Sequence, residues 1–141
     1  MSETLVRLIY ASRAVEHAPN HVRSIMLSAQ RNNPRLGITG MLVVGSNHFV
    51  QALEGDTAAV NALYCKIVQD KRHVCPRLLS YGLTHVRFWA EWSMAYAPIQ
   101  SLAEQAEAFG LPRTGFDPLA LDSEIVERLL LTVSPTRTLV E

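Results

Sequence analysis

The stretch Leu36–Asp56, LGITGMLVVGSNHFVQALEGD, constrains the fold more than any other part of the chain. Two apolar runs, Ile38–Val44 and His48–Leu53, flank Gly45-Ser46-Asn47. Glycine and asparagine accept positive φ, so the segment predicts a β-hairpin. Alternation in its second strand sets Phe49, Gln51 and Leu53 on one face and Val50 and Ala52 on the other. Gln51 thus shares a face with two large apolar side chains. A buried amide left unpaired costs roughly 1–3 kcal/mol. The rest of the chain must then supply partners for both its donor and its acceptor end. The alternative is an edge-strand glutamine that touches water.

With 141 residues, 48% hydrophobic and 18% charged, the chain is expected to form one globular domain. Thirteen basic side chains balance thirteen acidic ones, so no electrostatic case exists for nucleic acid or an anionic membrane as partner. No apolar run approaches the ~18 residues of a membrane helix, and the start, MSETLVRLIY, lacks the pattern of a secretory signal. Cys65 and Cys75 form no CxxC and read as free thiols in a reducing cytoplasm, with a disulfide as the alternative. His17 and His21 are interrupted by Pro19 and lack an acidic companion, so no metal site is expected.

Leu5–Ala11 reads as a first strand, with Val6, Leu8 and Tyr10 on one face. A helix is expected from Pro19 or Asn20, with Val22, Ile25, Met26 and Ala29 as its apolar stripe. At 100° per residue Asn33 falls within that stripe and Asn32 to one side. Asn32-Asn33 also suit a helix C-cap, with Pro34 as the stop. After the hairpin, Asp56 caps a second helix from Thr57 to about Gln69, ending in the polar run Asp70-Lys71-Arg72-His73. Leu78–Val86 and Trp92–Tyr96 read as strands, the latter with Trp92, Met94 and Tyr96 on one face. The order β-α-β-β-α-β-β predicts an α+β, ferredoxin-like sandwich with a five-stranded mixed sheet. Beyond Pro98, helices are expected at Ser101–Phe109 and from Ser123 to about Val133, the latter capped by Asp122. They would cover the sheet face opposite the first two helices. This gives a division at residue 97, with 98–141 a helical extension.

Tyr10, Asn33, Gln51 and Met94 then converge on one inward face, with Trp92 beside Met94. Strands one and three are the central pair of such a sheet, which sets Tyr10 beside Gln51. Singly, each reads as core filler or a satisfied core polar group. Together they describe a flat hydrogen-bonding slot next to a redox-active phenol, suited to a heteroaromatic ring.

LIYAS at 8–12, NN at 32–33 before GITGML at 37–42, FVQALEG at 49–55, DKRH at 70–73 and WSM at 92–94 resemble, in order and spacing, the BLUF domain, which senses blue light using flavin. The resemblance runs from about Leu5 to Ala97. It implies noncovalent FAD as cofactor and a signalling rather than an enzymatic role. It implies that Tyr10 is the electron and proton donor and that Gln51 links it to the ring. Asn33, with Asn32 nearby, would bind the pyrimidine end, and Ile25 would pack on the ring. Asp70, Arg72, His73 and Lys66 would meet the ribityl and phosphate part. Trp92 and Met94 would be the residues that switch environment. Ala29 stands where many relatives have serine, with Ser28 turned about 100° away, and Lys71 stands where proline is common. With no effector domain expected after residue 97, the output is expected to reach a separate downstream signalling protein or a homodimer or higher homo-oligomer. Without the resemblance, the residues favour a ferredoxin-like small-ligand or interaction module. An acylphosphatase-like enzyme lacks its arginine phosphate loop here.

Overall fold

The protein, described by a computed structural model, is defined over residues 4–15, 19–45, 47–108, 110 and 117–133, with the side chains of residues 19–22 excepted. The expectations for Val22, His17, His21, Ser46, Phe109 and Pro135 lie outside those bounds. The elements run β1 (Leu5–Ala14), α1 (Pro19–Leu36), β2 (Thr39–Val44), β3 (His48–Asp56), α2 (Thr57–Val68), β4 (His73–Thr84), β5 (Ala95–Pro98), α3 (Ile99–Ala108) and α4 (Ser123–Thr132). This is the expected ferredoxin-like order, followed by two helices.

The sheet order is β4-β1-β3-β2-β5, with β1 and β3 at its heart. All neighbours are antiparallel except β2 and β5, which run parallel. The β1–β3 register sets Tyr10 opposite Gln51, Leu8 opposite Leu53 and Arg7 opposite Glu54. One face carries Val6, Leu8, Tyr10, Phe49 and Leu53 against Met26 of α1 and Val60 of α2. The other carries Ile9, Val43, Val50 and Ala52 against Leu102 and Ala106 of α3 and Val126, Leu129 and Leu130 of α4. Period-two alternation therefore feeds two separate cores, each closed by its own helix pair.

Three local expectations are corrected. Helix α1 does not stop at Pro34 but runs to Leu36. It ends on Gly37 at φ +67, where Gly37 N–H reaches Pro34 O (3.3 Å) and Ile38 N–H reaches Asn33 O (3.0 Å). These bonds form a Schellman cap, and its left-handed residue suits glycine. Strand β4 begins at His73, not Leu78. Its pattern was masked because it is an edge strand, largely exposed, with register shifts against β1 between Ile9/Tyr10 and Ala11/Arg13. Trp92 does not share a face with Met94. Residues 89–92 form a turn closed by Trp92 N–H to Trp89 O (3.0 Å), so strand alternation does not apply there, and β5 starts only at Ala95. Trp92 packs into the α3/α4 core and Met94 into the α1/α2 core.

Glycine at 40 follows from close approach. A Cβ there would lie 2.0 Å from Ala52 O, a backbone atom of the neighbouring strand. Its N–H donates to Trp92 O (3.1 Å) and so ties the 89–92 turn to β2.

Candidate functional site

A cavity of about 380 Å³ opens between α1, α2 and the sheet. Tyr10 and Gln51 form its floor. Ile25, Asn32 and Asn33 of α1 form one wall, and Lys66, Asp70, Arg72 and His73 lie along the α2 side. Of the residues singled out by sequence, Met94 lies behind Gln51 rather than in the lining, and Trp92 lies beyond the sheet.

The floor is a short chain of hydrogen bonds. Tyr10 O–H donates to Gln51 Oε1 at 2.5 Å, and Gln51 Nε2 donates to Met94 Sδ at 3.4 Å. Both ends of the amide are thus engaged, one by a strong donor and one by a weak thioether acceptor. Burial pushes the Tyr10 phenol far above its ordinary pKa, and Tyr64 and Asp70 nearby add to the shift. The phenol is therefore neutral at physiological pH and is a hydrogen-bond donor. The Tyr64 ring lies 5.4 Å from that of Tyr10, and His73 meets Tyr10 edge-on at 6.1 Å.

Asn33 is buried, and its Nδ2 donates to Ser93 O at 2.8 Å. The Schellman cap that extends α1 past Pro34 fixes this inward angle. Asn32 is half-buried, donates to Ser28 Oγ (3.3 Å) and accepts from Arg35 (3.0 Å). Ser28 and Ala29 both line the cavity, and the Ser28 hydroxyl accepts from Asn32 (3.3 Å). The wall spans Ile25, Ser28, Ala29 and Asn32, an i, i+3, i+4, i+7 stripe broad enough to include both.

At the mouth, Arg72 forms a short multidentate pair with Asp70 and reaches across to Ser24 Oγ on α1 (3.2 Å). The guanidinium bonds hold the Asp70 carboxyl below the usual carboxylate range. His73 is buried, with Nε2 2.6 Å from Ile67 O and Nδ1 2.7 Å from Ser12 Oγ. A carbonyl only accepts, so Nε2 carries the proton, and in the neutral ring Ser12 donates to Nδ1. Lys66 is exposed at the rim.

Sequence reasoning passed over Phe49, Leu42, Leu63 and Ile67 as lining residues. Phe49 and Leu63 were legible as inward positions of their elements. It also passed over Glu54. This carboxylate is fully buried and accepts from Phe88 N–H (2.8 Å), Trp89 N–H (2.9 Å), Arg7 Nε (2.9 Å) and Thr39 Oγ1 (3.3 Å). It anchors the start of the segment that ends in Ser93 and Met94. The signal was its place after Val50 and Ala52 on the second inward face, directly across from Arg7.

Residues 5–95 match the family described as BLUF, sensors of blue-light using FAD. The chain belongs to the BLUF family. This BLUF chain is 37% identical over 102 residues to the photoactivated adenylate cyclase subunit beta of Euglena longa, a stretch covering 71% of the chain and 12% of that protein. It is 36% identical over 70 residues to the blue light- and temperature-regulated antirepressor BluF of Escherichia coli (strain K12), covering 49% and 17% respectively. The chain thus spans only a small part of the length of these relatives. Among solved structures, BlsA in its photo-activated state superposes with a TM-score of 0.83 at 30% identity, covering 95% of this chain and 99% of that one. The dark-state structure of BlrB, a BLUF protein, gives 0.72 at 28% identity, covering 93% and 98%. The function of this BLUF domain is blue-light sensing, and its cofactor is FAD.

The cavity's chemistry fits that group. Its volume lies within the ~300–1,000 Å³ typical of small-molecule sites. Apolar side chains from both helices would face a flat ring, and the Gln51 and Asn33 amides would meet its polar edges. Lys66 and Arg72 at the mouth would meet an anionic tail. Among the described residues no cluster of histidine, cysteine or acidic side chains is placed to hold a metal, and no helix is long and apolar enough to cross a membrane.

Proposed function

We propose that this chain converts blue light into a rearranged hydrogen bond at Gln51 and passes the change to a partner protein through the segment 92–98. The observation that carries this reading is the chain Tyr10 O–H to Gln51 Oε1 and Gln51 Nε2 to Met94 Sδ on the cavity floor. Bound FAD supplies a blue-light absorber whose excited state is a strong oxidant.

The protein's own part follows from its donors and acceptors. Losing an electron makes the Tyr10 hydroxyl strongly acidic, and its proton has one short path, along the 2.5 Å bond to Gln51 Oε1. Once electron and proton return, the amide is left rotated or tautomerised. Rotation would set Nε2 toward the Tyr10 oxygen and turn Oε1 toward Met94 Sδ, which has no proton to give. The rotated form is therefore the less stable, by an amount near the ~1 kcal/mol of a typical net hydrogen bond, and it reverts thermally. Met94 loses its bond from Gln51, and Ser93 next to it holds Asn33. Displacement here enters β5, which runs into α3 at Ile99. Ile99 packs against Gly45 so closely that a Cβ on that glycine would lie 2.6 Å from Ile99 Cγ2.

In this reading residues 1–97 are the sensor and 98–141 the relay, Asn32, Asn33 and Ile25 hold the ring, and Lys66, Asp70, Arg72 and His73 hold the tail. The output is conformational, not catalytic. The exposed free thiols of Cys65 and Cys75 suit a reducing cytoplasm. The test is absorption before and after blue light on flavin-loaded protein. Wild type should shift reversibly to the red. Tyr10→Phe and Gln51→Leu should keep flavin and lose the normal shift. A normal shift in either variant overturns the assignment.

A further inference from the structure

Six of the ten large apolar side chains exposed among the described residues fall between positions 74 and 88: Val74, Leu78, Tyr81, Leu83, Val86 and Phe88. They lie on β4 and the loop after it. Among the described residues β4 is an edge of the sheet, with β1 as its only strand neighbour. A long apolar edge is a template for pairing unless charge, proline or a bulge blunts it. The first half of β4 is blunted in this way, by Pro76, by Cys75 at φ +55 and by the register shifts against β1. The second half, Ser80–Thr84, is not. It pairs regularly with Ile9–Leu5 and contains no charged residue.

We propose that the second half of β4 is the docking surface for a second copy of this chain, joined antiparallel about a twofold axis at Gly82. Gly82 is the midpoint of the regular run Ser80–Thr84. A twofold there sets Tyr81 opposite Leu83 of the second copy and Ser80 opposite Thr84 of the second copy. The register with β1 puts each such pair on one face of the sheet. Tyr81 and Leu83 lie opposite Leu8 and Val6, and Ser80 and Thr84 opposite Ile9 and Leu5. The surface is thus self-complementary, as an isologous contact requires.

Area agrees with a dimer. Leu78, Tyr81 and Leu83 on the strand and Val86 just past it are each between 44% and 76% exposed. That is on the order of 400 Å² of apolar surface, within the range of the largest patches that monomers show. Strand backbone and flanking side chains bring it toward the ~800 Å² per partner of a standard interface. The arginines nearest the run are directed away from it, Arg77 to Leu119 O (2.5 Å) and Arg87 to Thr39 Oγ1 of β2 (3.1 Å). Tyr81 is steadied at the groove beside α2 by a hydrogen bond from Asn61 (2.9 Å).

The test is the mass in solution of the flavin-loaded full chain at about 100 µM, by light scattering on a sizing column. The expected result is a dimer that Leu83→Lys converts to monomer with no change in the flavin spectrum. Geometry is tested by Gly82→Cys in a Cys65→Ser, Cys75→Ser background. A Cβ at 82 meets nothing within 4 Å, so the residue fits. Opposed residues of an antiparallel pair lie ~4.5–5.5 Å apart at Cα, within disulfide reach. Mild oxidation should therefore cross-link it. A monomeric wild type, or a dimer that survives Leu83→Lys, overturns the proposal. A dimer abolished by Leu83→Lys that does not cross-link at 82 overturns the register.

Discussion

The buried carboxylate of Glu54 gives the sharpest test of how the segment before β5 is held. Its Oε2 accepts from Arg7 Nε and Phe88 N–H, and its Oε1 from Trp89 N–H and Thr39 Oγ1. Glu54→Gln keeps the shape and replaces one oxygen with a donor. The amide sits best with its NH₂ at the Oε1 position. There Thr39 can rotate to accept, but Trp89 N–H is left buried and unpaired, at a cost of about 1–3 kcal/mol. The Arg7 bond also loses its charge assistance, worth about 1 kcal/mol. The total is about 2–4 kcal/mol, or a fall in Tm on the order of 10 °C for a chain of this size. The assay is thermal unfolding of flavin-loaded wild type and variant, with hydrogen exchange at the Trp89 amide as the local readout. A Tm within about 2 °C of wild type, with Trp89 still protected, would show that the carboxylate does not hold the turn.

Gly40→Ala should prevent formation of the β2–β3 pair, because its Cβ would overlap Ala52 O; soluble protein with normal flavin content would refute this. Acid should loosen the cavity mouth. Asp70 is held below its ordinary pKa by Arg72, so its contribution is full above about pH 4 and fades as pH falls through the lowered folded value. Asp70→Asn should thus be less stable than wild type at pH 6, and the gap in Tm should narrow below pH 4. A gap that stays constant with pH removes the ion pair as its cause. Continuous blue light should raise amide exchange across residues 91–98 and in α3 more than in α2; equal protection in a fully switched sample would rule out this exit route.

Much of the site was legible because it rests on regular periods. Alternation alone set Gln51 beside Phe49 and Leu53, and the ferredoxin-like strand order set Tyr10 beside it. The helical stripe turned Asn33 inward. Regularity is also where legibility stopped. Strand alternation over 92–96 sets Trp92 on the face of Met94, whereas the 89–92 turn rotates Trp92 into the other core. The start of β4 is not legible, because an exposed edge strand has no buried face to reveal its period. Glu54 was overlooked because a carboxylate suggests solvent, although its neighbours Val50 and Ala52 pointed to the second core and its partner Arg7 lies directly across the sheet.

The misplaced tryptophan changes what the switch can be. Trp92 and Met94 are separated by Ser93 alone, yet their side chains belong to cores on opposite faces of the sheet. The segment is held at three points, its backbone by Gly40 N–H on Trp92 O and Asn33 on Ser93 O, and its Met94 side chain by Gln51 on the sulfur. Two of those holds come from cavity residues. Loss of the weak sulfur bond is small in energy, about 1 kcal/mol or less, too little to drive a large movement against close packing. Its leverage lies in position. A displacement of Met94 that turns the Ser93 backbone would also pull on Trp92, which packs among residues of α3 and α4. Two close-packed cores joined by one short crank have few intermediate arrangements, because packed interiors respond in discrete steps rather than by gradual deformation. On the proposed reading, a small change at one amide would thus be registered on the far face of the sheet.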